Sequence, residues 1–432
     1  MMGPTTRRRK LLVGVLALAT AISAGCGRGG DGAEESGGAE TLTWWHNANA
    51  EPGLGFWKTV ADEYHAKNPN VTVEVVPMQN EQFQTRIPVA LQSQEPPDVF
   101  QSWGGGQLAD QVSSGRIKDI SEAIEPWIGE LGPAAQGWQV DGKQYAVPYS
   151  LGVVGFWYNK DLFSQAGISA PPATWEELLG AIGKLKAANL TPITIGGKDR
   201  WPDAFYWGYL AVRGCSQQVL KDSVTNYKFD DPCWIQAGQK TRELIDAKPF
   251  QKGFLATSAQ QGATSSAGLL ANGKAAMELQ GHWNPGVMRG LTPDRKGLGD
   301  KLGWFPFPAV SGGAGDPKAA LGGGDGFACS YKAPDSCADF LKYIASVDVQ
   351  KRWAALNTGL PVTKGSESAV TDPTLKSLLD FRAGASHVQL YFDIAVLTSV
   401  GQALNEAIAN QFAGKATPEQ VIEALNTAAK NR

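Results

Sequence analysis

The pattern of apolar and polar positions changes character twice along the chain. Residues 11–25 are almost all apolar or small and follow the basic run Arg7, Arg8, Arg9 and Lys10. That run is too short to span a bilayer as a mature helix, and its exit Ser23-Ala24-Gly25 fits a cleaved export signal over residues 1–25. Residues 27–39 are mostly Gly, Asp, Glu and Ser with almost nothing apolar. Such a stretch cannot bury enough surface to fold and predicts a flexible tether over residues 26–40. Periodicity then begins. Thr41-Leu42-Thr43-Trp44-Trp45 reads as a strand, residues 55–68 as an amphipathic helix with Phe56, Val60 and Tyr64 on one face, and residues 71–76 as a second strand. Strand, helix, strand implies a parallel sheet.

Further on, Pro97-Asp98-Val99-Phe100 reads as a short buried strand. Residues 146–154 followed by Phe156-Trp157-Tyr158 read as chain crossing from one lobe to another. Two helix starts are written plainly: Thr174-Trp175-Glu176-Glu177 forms a capping box ahead of residues 178–188, and Thr417-Pro418-Glu419-Gln420 adds a proline at the first helical position. The glycine-rich stretch 311–326 reads as a loop, and no repeat of fixed period is visible. About 390 of the 432 residues follow the tether, more than one core comfortably holds, which predicts two lobes.

Charge narrows the partners. Cleavage after residue 25 lowers the basic count from 39 to 35 against 42 acidic residues, an acidic balance that argues against nucleic acid. Cys215, Cys233, Cys329 and Cys337 form two sequence-local pairs in an exported chain, which predicts two short-loop disulfides, and no Cys-x-x-Cys spacing suggests a metal site. Cys26, directly after the signal's exit, resembles the acylated cysteine of a bacterial lipobox, with Ser23 where leucine is usual. That predicts a lipid anchor on the outer face of the cell membrane. Thr6-Arg7-Arg8 also loosely resembles a twin-arginine signal.

A family resemblance rests on several motifs in order: Pro97-Asp98-Val99, Trp103-Gly104-Gly105-Gly106, Tyr158-Asn159-Lys160-Asp161-Leu162-Phe163, Pro172-Ala173-Thr174-Trp175-Glu176-Glu177-Leu178, Gly273-Lys274-Ala275-Ala276-Met277 and Gly281-His282-Trp283. Together they resemble the family 1 extracellular solute-binding proteins of sugar ABC importers, the maltose-binding-protein-like family, over essentially residues 41–432. The resemblance implies an α/β, two-lobed periplasmic-binding-protein-like fold, with 41–153 and 324–372 in one lobe and 154–323 and 373–432 in the other. It implies hinge closure around an oligosaccharide, delivery to a membrane permease, a monomer, and no cofactor. The stretch Gln101-Ser102-Trp103-Gly104-Gly105-Gly106 looks closest to binders of xylobiose and related β-linked xylo-oligosaccharides; chito-, cello- and malto-oligosaccharides are the alternative cargoes.

The residues make their own case for sugar. Fourteen tryptophans occur, many in loops bordered by Gly or Pro. Aromatic faces stack on the C–H patches of pyranose rings while carboxylates and amides meet the hydroxyls. Trp103, Trp201 and Trp283 are the candidate platforms, beside Gly104, Pro202 and Gly281. Trp44, Trp45, Trp157, Trp175, Trp304 and Trp353 are expected to be packing. His46, Asn47 and Glu51 follow the first strand, where open α/β sheets place ligand groups. Gly105, His282, Asn284, Asp325, Gln389 and Asp393 complete the candidate ligand-binding set. Two other classes stay in view. An exported glycoside hydrolase would need a placed carboxylate pair that no motif singles out, and a tethered adhesion module would use the tryptophan loops as a protein interface. Residues 268–274 have P-loop spacing, but Ala275 stands where Ser or Thr is required.

Overall fold

The computed structural model describes residues 39–431. The export signal, Cys26 and nearly all of the tether lie outside them, although Glu40, placed in the tether, already pairs with Val71 in the first strand. The strands are β1 (Glu40–His46), β2 (Val71–Pro77), β3 (Val99–Ser102), β4 (Gln139–Val140), β5 (Lys143–Gln144), β6 (Ala146–Val153), β7 (Gly155–Asn159), β8 (Met277–Gln280), β9 (Leu302–Phe305), β10 (Ala320–Cys329) and β11 (Val388–Leu390).

β1 and β2 pair in parallel, Trp44 opposite Val75, and β3 joins the other side of β1. The crossover is helix α1 (Gly53–Lys67), which buries Trp57, Val60, Ala61 and Tyr64. The buried stripe is therefore centred on Trp57, with Phe56 only half-buried at its edge. The i, i+3, i+4, i+7 spacing of those four residues suits a helix laid on a sheet. A six-stranded sheet results, in the order β11-β10-β3-β1-β2 with β6 also paired to β10; a second, antiparallel sheet has β7 between β8 and β9.

β10 corrects the sequence reading. Residues 311–326 were expected to be loop, yet Ala320–Cys329 is a strand paired with β3, β6 and β11. At Gly322 and Gly324 neighbouring backbone lies too close for a side chain: a Cβ on Gly324 would sit 2.1 Å from the Ser150 carbonyl oxygen.

Two principal cores flank this arrangement. One gathers Trp44, Trp57, Phe327, Phe340 and Trp353, with an adjoining cluster around Phe83, Phe100 and Trp138. The other gathers Phe156, Trp175, Trp207 and Trp234 with the C-terminal helices Thr398–Phe412 and Pro418–Lys430. β6, continued by Val154, and β10 run between them: Val147 and Phe327 pack in the first, Val154 and Leu321 in the second. β6 lies in the large sheet and β7 in the small one, so the chain changes sheet at Val154, inside the segment read as a crossing. Both capping boxes are formed, Thr174 with Glu177 and Thr417 with Gln420. The cysteines pair as Cys215–Cys233 and Cys329–Cys337.

Candidate functional site

A cavity of about 230 Å³ opens beside β6 and β10, walled by residues of both cores. On one wall Trp103 leaves β3 and packs its edge on Phe83, ring centroids 5.6 Å apart. Its indole N–H donates to Asp325 Oδ1 at 3.0 Å, and Gln101 Nε2 donates to the same oxygen at 2.6 Å. Asp325 sits at a bulge, with Ser150 opposite Asp325 and Pro148 opposite Gly326. Tyr149 is the extra residue, which lets the consecutive side chains Tyr149 and Ser150 both reach the cavity, against the alternation of a regular strand. Burial pushes Asp325 up to about 6, partly offset by the two hydrogen bonds it accepts.

The opposite wall is aromatic. Trp201 and Phe205 lie one turn apart on the helix Trp201–Gly214, centroids 5.3 Å apart. Trp283 stands 6.4 Å from Trp201, and Tyr391 lies 6.2 Å from Trp283 and 5.2 Å from Phe205. The Gly281-His282-Trp283 motif has a local reason: the Trp283 ring folds back over residue 281, where a Cβ would meet it at 2.2 Å. The Trp283 indole N–H and the Tyr391 hydroxyl are buried and have no hydrogen-bond partner among the described residues.

Of the other candidates, Asn47 and Glu51 line the rim. Asn47 donates to Asn80 Oδ1 at 3.1 Å, and the exposed Glu51 carboxylate accepts from the Gly55 N–H at 3.0 Å. Asp393 also faces the cavity; burial raises its pKa, and Asn405 donates to it at 2.9 Å. His282 lines the floor, its Nε2 3.0 Å from Ser150 Oγ, which itself donates to the Leu360 carbonyl. Burial lowers His282 to about 3, so the ring is neutral at ordinary pH.

Four candidates are not brought to the cavity. His46 is wholly buried, its Nδ1 accepting from the Ala48 N–H at 3.2 Å, which shapes the loop after β1. Gly105 makes room for packing instead: a Cβ there would meet the Ile394 carbonyl oxygen at 2.7 Å, where helix α2 (Gly105–Ser113) begins. Asn284 is buried and donates to Glu278 at 3.0 Å. Gln389 pairs opposite Leu321 in the large sheet and donates to the Leu390 carbonyl. In each case a residue that does line the cavity is a near neighbour: Asn47, Trp103, Trp283 and Tyr391.

Sequence reasoning passed over Tyr149, Phe205 and Tyr391. The i, i+4 spacing of Trp201 and Phe205 was the available signal for Phe205; the bulge that turns Tyr149 inward had none. Trp353, expected to be packing, stacks on Trp57 at 5.0 Å and also lines the cavity. Among the described lining residues are the carboxylates Glu51, Asp325 and Asp393, and no Lys or Arg. Aromatic faces with fixed acceptors suit an uncharged, hydroxyl-bearing solute and oppose an anion.

The fold and this cleft define an α/β, periplasmic-binding-protein-like protein. The chain belongs to the bacterial extracellular solute-binding proteins, whose family model matches residues 47–351, more than half of its length; the family is non-enzymatic. An uncharacterised ABC transporter extracellular-binding protein of Pyrococcus horikoshii is 24% identical over 98% of this chain and 95% of its own. The diacetylchitobiose binding protein of Streptomyces coelicolor is 27% identical over 84% of each chain. A solved structure from a study of xylan utilization by Caldanaerobius polysaccharolyticus superposes with a TM-score of 0.82 at 26% identity, over 90% of this chain and 99% of that one.

Proposed function

We propose that this protein is the solute receptor of an ABC sugar importer and that its cleft holds an oligosaccharide, with xylobiose or a related β-linked xylo-oligosaccharide as the cargo. The observation that carries the reading is the pairing of two unlike walls, Trp103 with Asp325 facing Trp201, Phe205, Trp283 and Tyr391. A pyranose ring stacked on indole offers its hydroxyls sideways, where Asp325, Asp393 and the amides of the rim stand ready. Residues 41–153 with 324–372 and residues 154–323 with 373–432 act as lobes hinged on β6 and β10, closing over the ligand and presenting a changed surface to the permease. Acylated Cys26 holds the monomer at the outer face of the membrane on its polar tether. The similarity to the Streptomyces diacetylchitobiose binding protein keeps chito-oligosaccharides as the second cargo.

The test is calorimetry with xylo-, cello-, malto-, chito- and galacto-oligosaccharides, with reducing ends assayed in parallel. One hit at about 1 μM or tighter without hydrolysis supports the reading, and its identity names the cargo. Silence across the panel removes oligosaccharides as the ligand.

A further inference from the structure

At the mouth of the cleft a single carboxylate on one wall accepts from donors on the other. Glu81 stands in the helix Asn80–Gln92, whose buried face, Phe83, Ile87 and Leu91, belongs with Phe100 and Trp138. Its Oε1 accepts from Trp201 Nε1 at 3.2 Å, and its Oε2 accepts from Gln261 Nε2 at 3.3 Å. Trp201 packs in the other core, with Phe205 and Trp207. The indole that walls the cavity is therefore oriented by an acid on the opposite side of it.

A second acid stands behind the same contact. Asp199, two residues before Trp201, accepts from the Ala259 N–H at 2.7 Å and faces Glu81. Burial and the Glu81 carboxylate raise Asp199 to about 6, against the pull of the Ala259 N–H and Lys198. The remaining charged neighbours do not cancel this. Burial raises the pKa of the fully buried Asp203 well above the ordinary carboxylate range, and Arg200 is drawn to Glu406 at 3.9 Å.

We propose that Glu81 is a positioning residue, a clasp that joins the two sides of the cleft in the closed state, aims Trp201 at the ligand, and is tightened by a proton on Asp199. Resting on the hinged receptor reading above, this adds a control that the aromatic site alone does not contain. The sign follows from the geometry. Opening carries Glu81 away, and the pKa of Asp199 falls with the loss of that negative neighbour. The closed state thus binds the proton more tightly than the open state, and acidification through about pH 6 favours closure. Above that range two carboxylates face each other and closure depends on ligand.

The experiment uses the full chain with spin labels on the exposed positions Glu122 and Lys184, the interlabel distance being read without sugar and with each panel oligosaccharide at pH 5.0 and 7.5. The wild type is expected to shift toward the short distance at pH 5.0. Glu81→Gln, which keeps an acceptor for Trp201, should show the same distance at both pH values. Glu81→Ala should lengthen it and weaken sugar binding by about 5- to 10-fold, since less of the protein is in the competent state. A wild type without a pH response, a Glu81→Gln protein that retains it, or a Glu81→Ala protein like the wild type overturns the clasp. Sugars that close a pH-blind protein leave the receptor reading standing without the clasp. A pH-driven closure that no sugar influences leaves the clasp standing and removes the sugar.

Discussion

On the β10 side of the cavity Asp325 already holds two N–H donors, from Trp103 and Gln101, whereas across it the Trp283 N–H and the Tyr391 hydroxyl lack any partner among the described residues. On the first wall the carboxylate oxygen is already met within the protein. Its acceptor is fixed by a bulged strand, and the cost of burying the carboxylate is partly offset within the protein. The second wall is left incomplete. Buried donors without partners cost roughly 1–3 kcal/mol each unless something meets them, so on the proposed reading a solute whose hydroxyl oxygens reached them would recover that cost.

The largest expected effect lies on the second wall. Trp283→Ala should weaken sugar binding by about 2–3 kcal/mol with its circular dichroism unchanged, the usual loss for a central aromatic anchor. Unchanged affinity in a folded variant would take Trp283 out of the site. Behind the first wall, Cys329 ends the strand that carries Asp325 and is tied to Cys337. Replacing both with serine should lower unfolding free energy by about 2 kcal/mol in urea titrations while affinity changes no more than a few-fold. A collapse of affinity there would mean that Asp325 is held less firmly than its bonds indicate.

Asp325→Asn probes the cost of that wall. The folded-state pKa of about 6 lies above the unfolded carboxylate value, so the folded state binds the proton more tightly and the ionised form is penalised. The penalty is present in full above pH 6 and is relieved as pH falls from 6 toward 4. The asparagine variant should therefore be more stable than the wild type by about 1–2 kcal/mol at pH 7.5, a gap that closes by pH 4, while binding sugar less well. A gap that widens on acidification would contradict this. The smallest effect belongs to Tyr391→Phe, which should leave stability equal or slightly higher and reduce affinity by about 0.5–1 kcal/mol. An unchanged affinity would assign the Tyr391 ring to packing alone.

How far these walls could be read from sequence follows from what fixes each side chain. Alternation and capping act locally, so β1, α1, β2 and both capped helices were legible. β10 was not, because Gly322–Gly326 carries turn-like composition for non-local reasons, the approach of the β6 backbone to Gly322 and Gly324 and of the Tyr391 ring to Gly323. Around the cavity, the residue that lines it is in several segments a neighbour of the one the sequence points to. His46 and Asn47 follow one another, yet only the second reaches the cavity, since neighbouring side chains point to different sides of an extended backbone. Gln389 and Tyr391 differ for another reason: a short strand binds the first into the sheet, and the chain turns before the second. Tyr149 depended on a bulge that no residue type announces.

The most direct measurement is a crystal structure of the protein with the tightest-binding oligosaccharide of the panel. A pyranose ring flat against Trp283, with a hydroxyl donating to Asp325 and an oxygen accepting from the Trp283 or Tyr391 donors, is the predicted result. A sugar bound elsewhere, or lying in the cleft with those donors still unmet, would contradict the account.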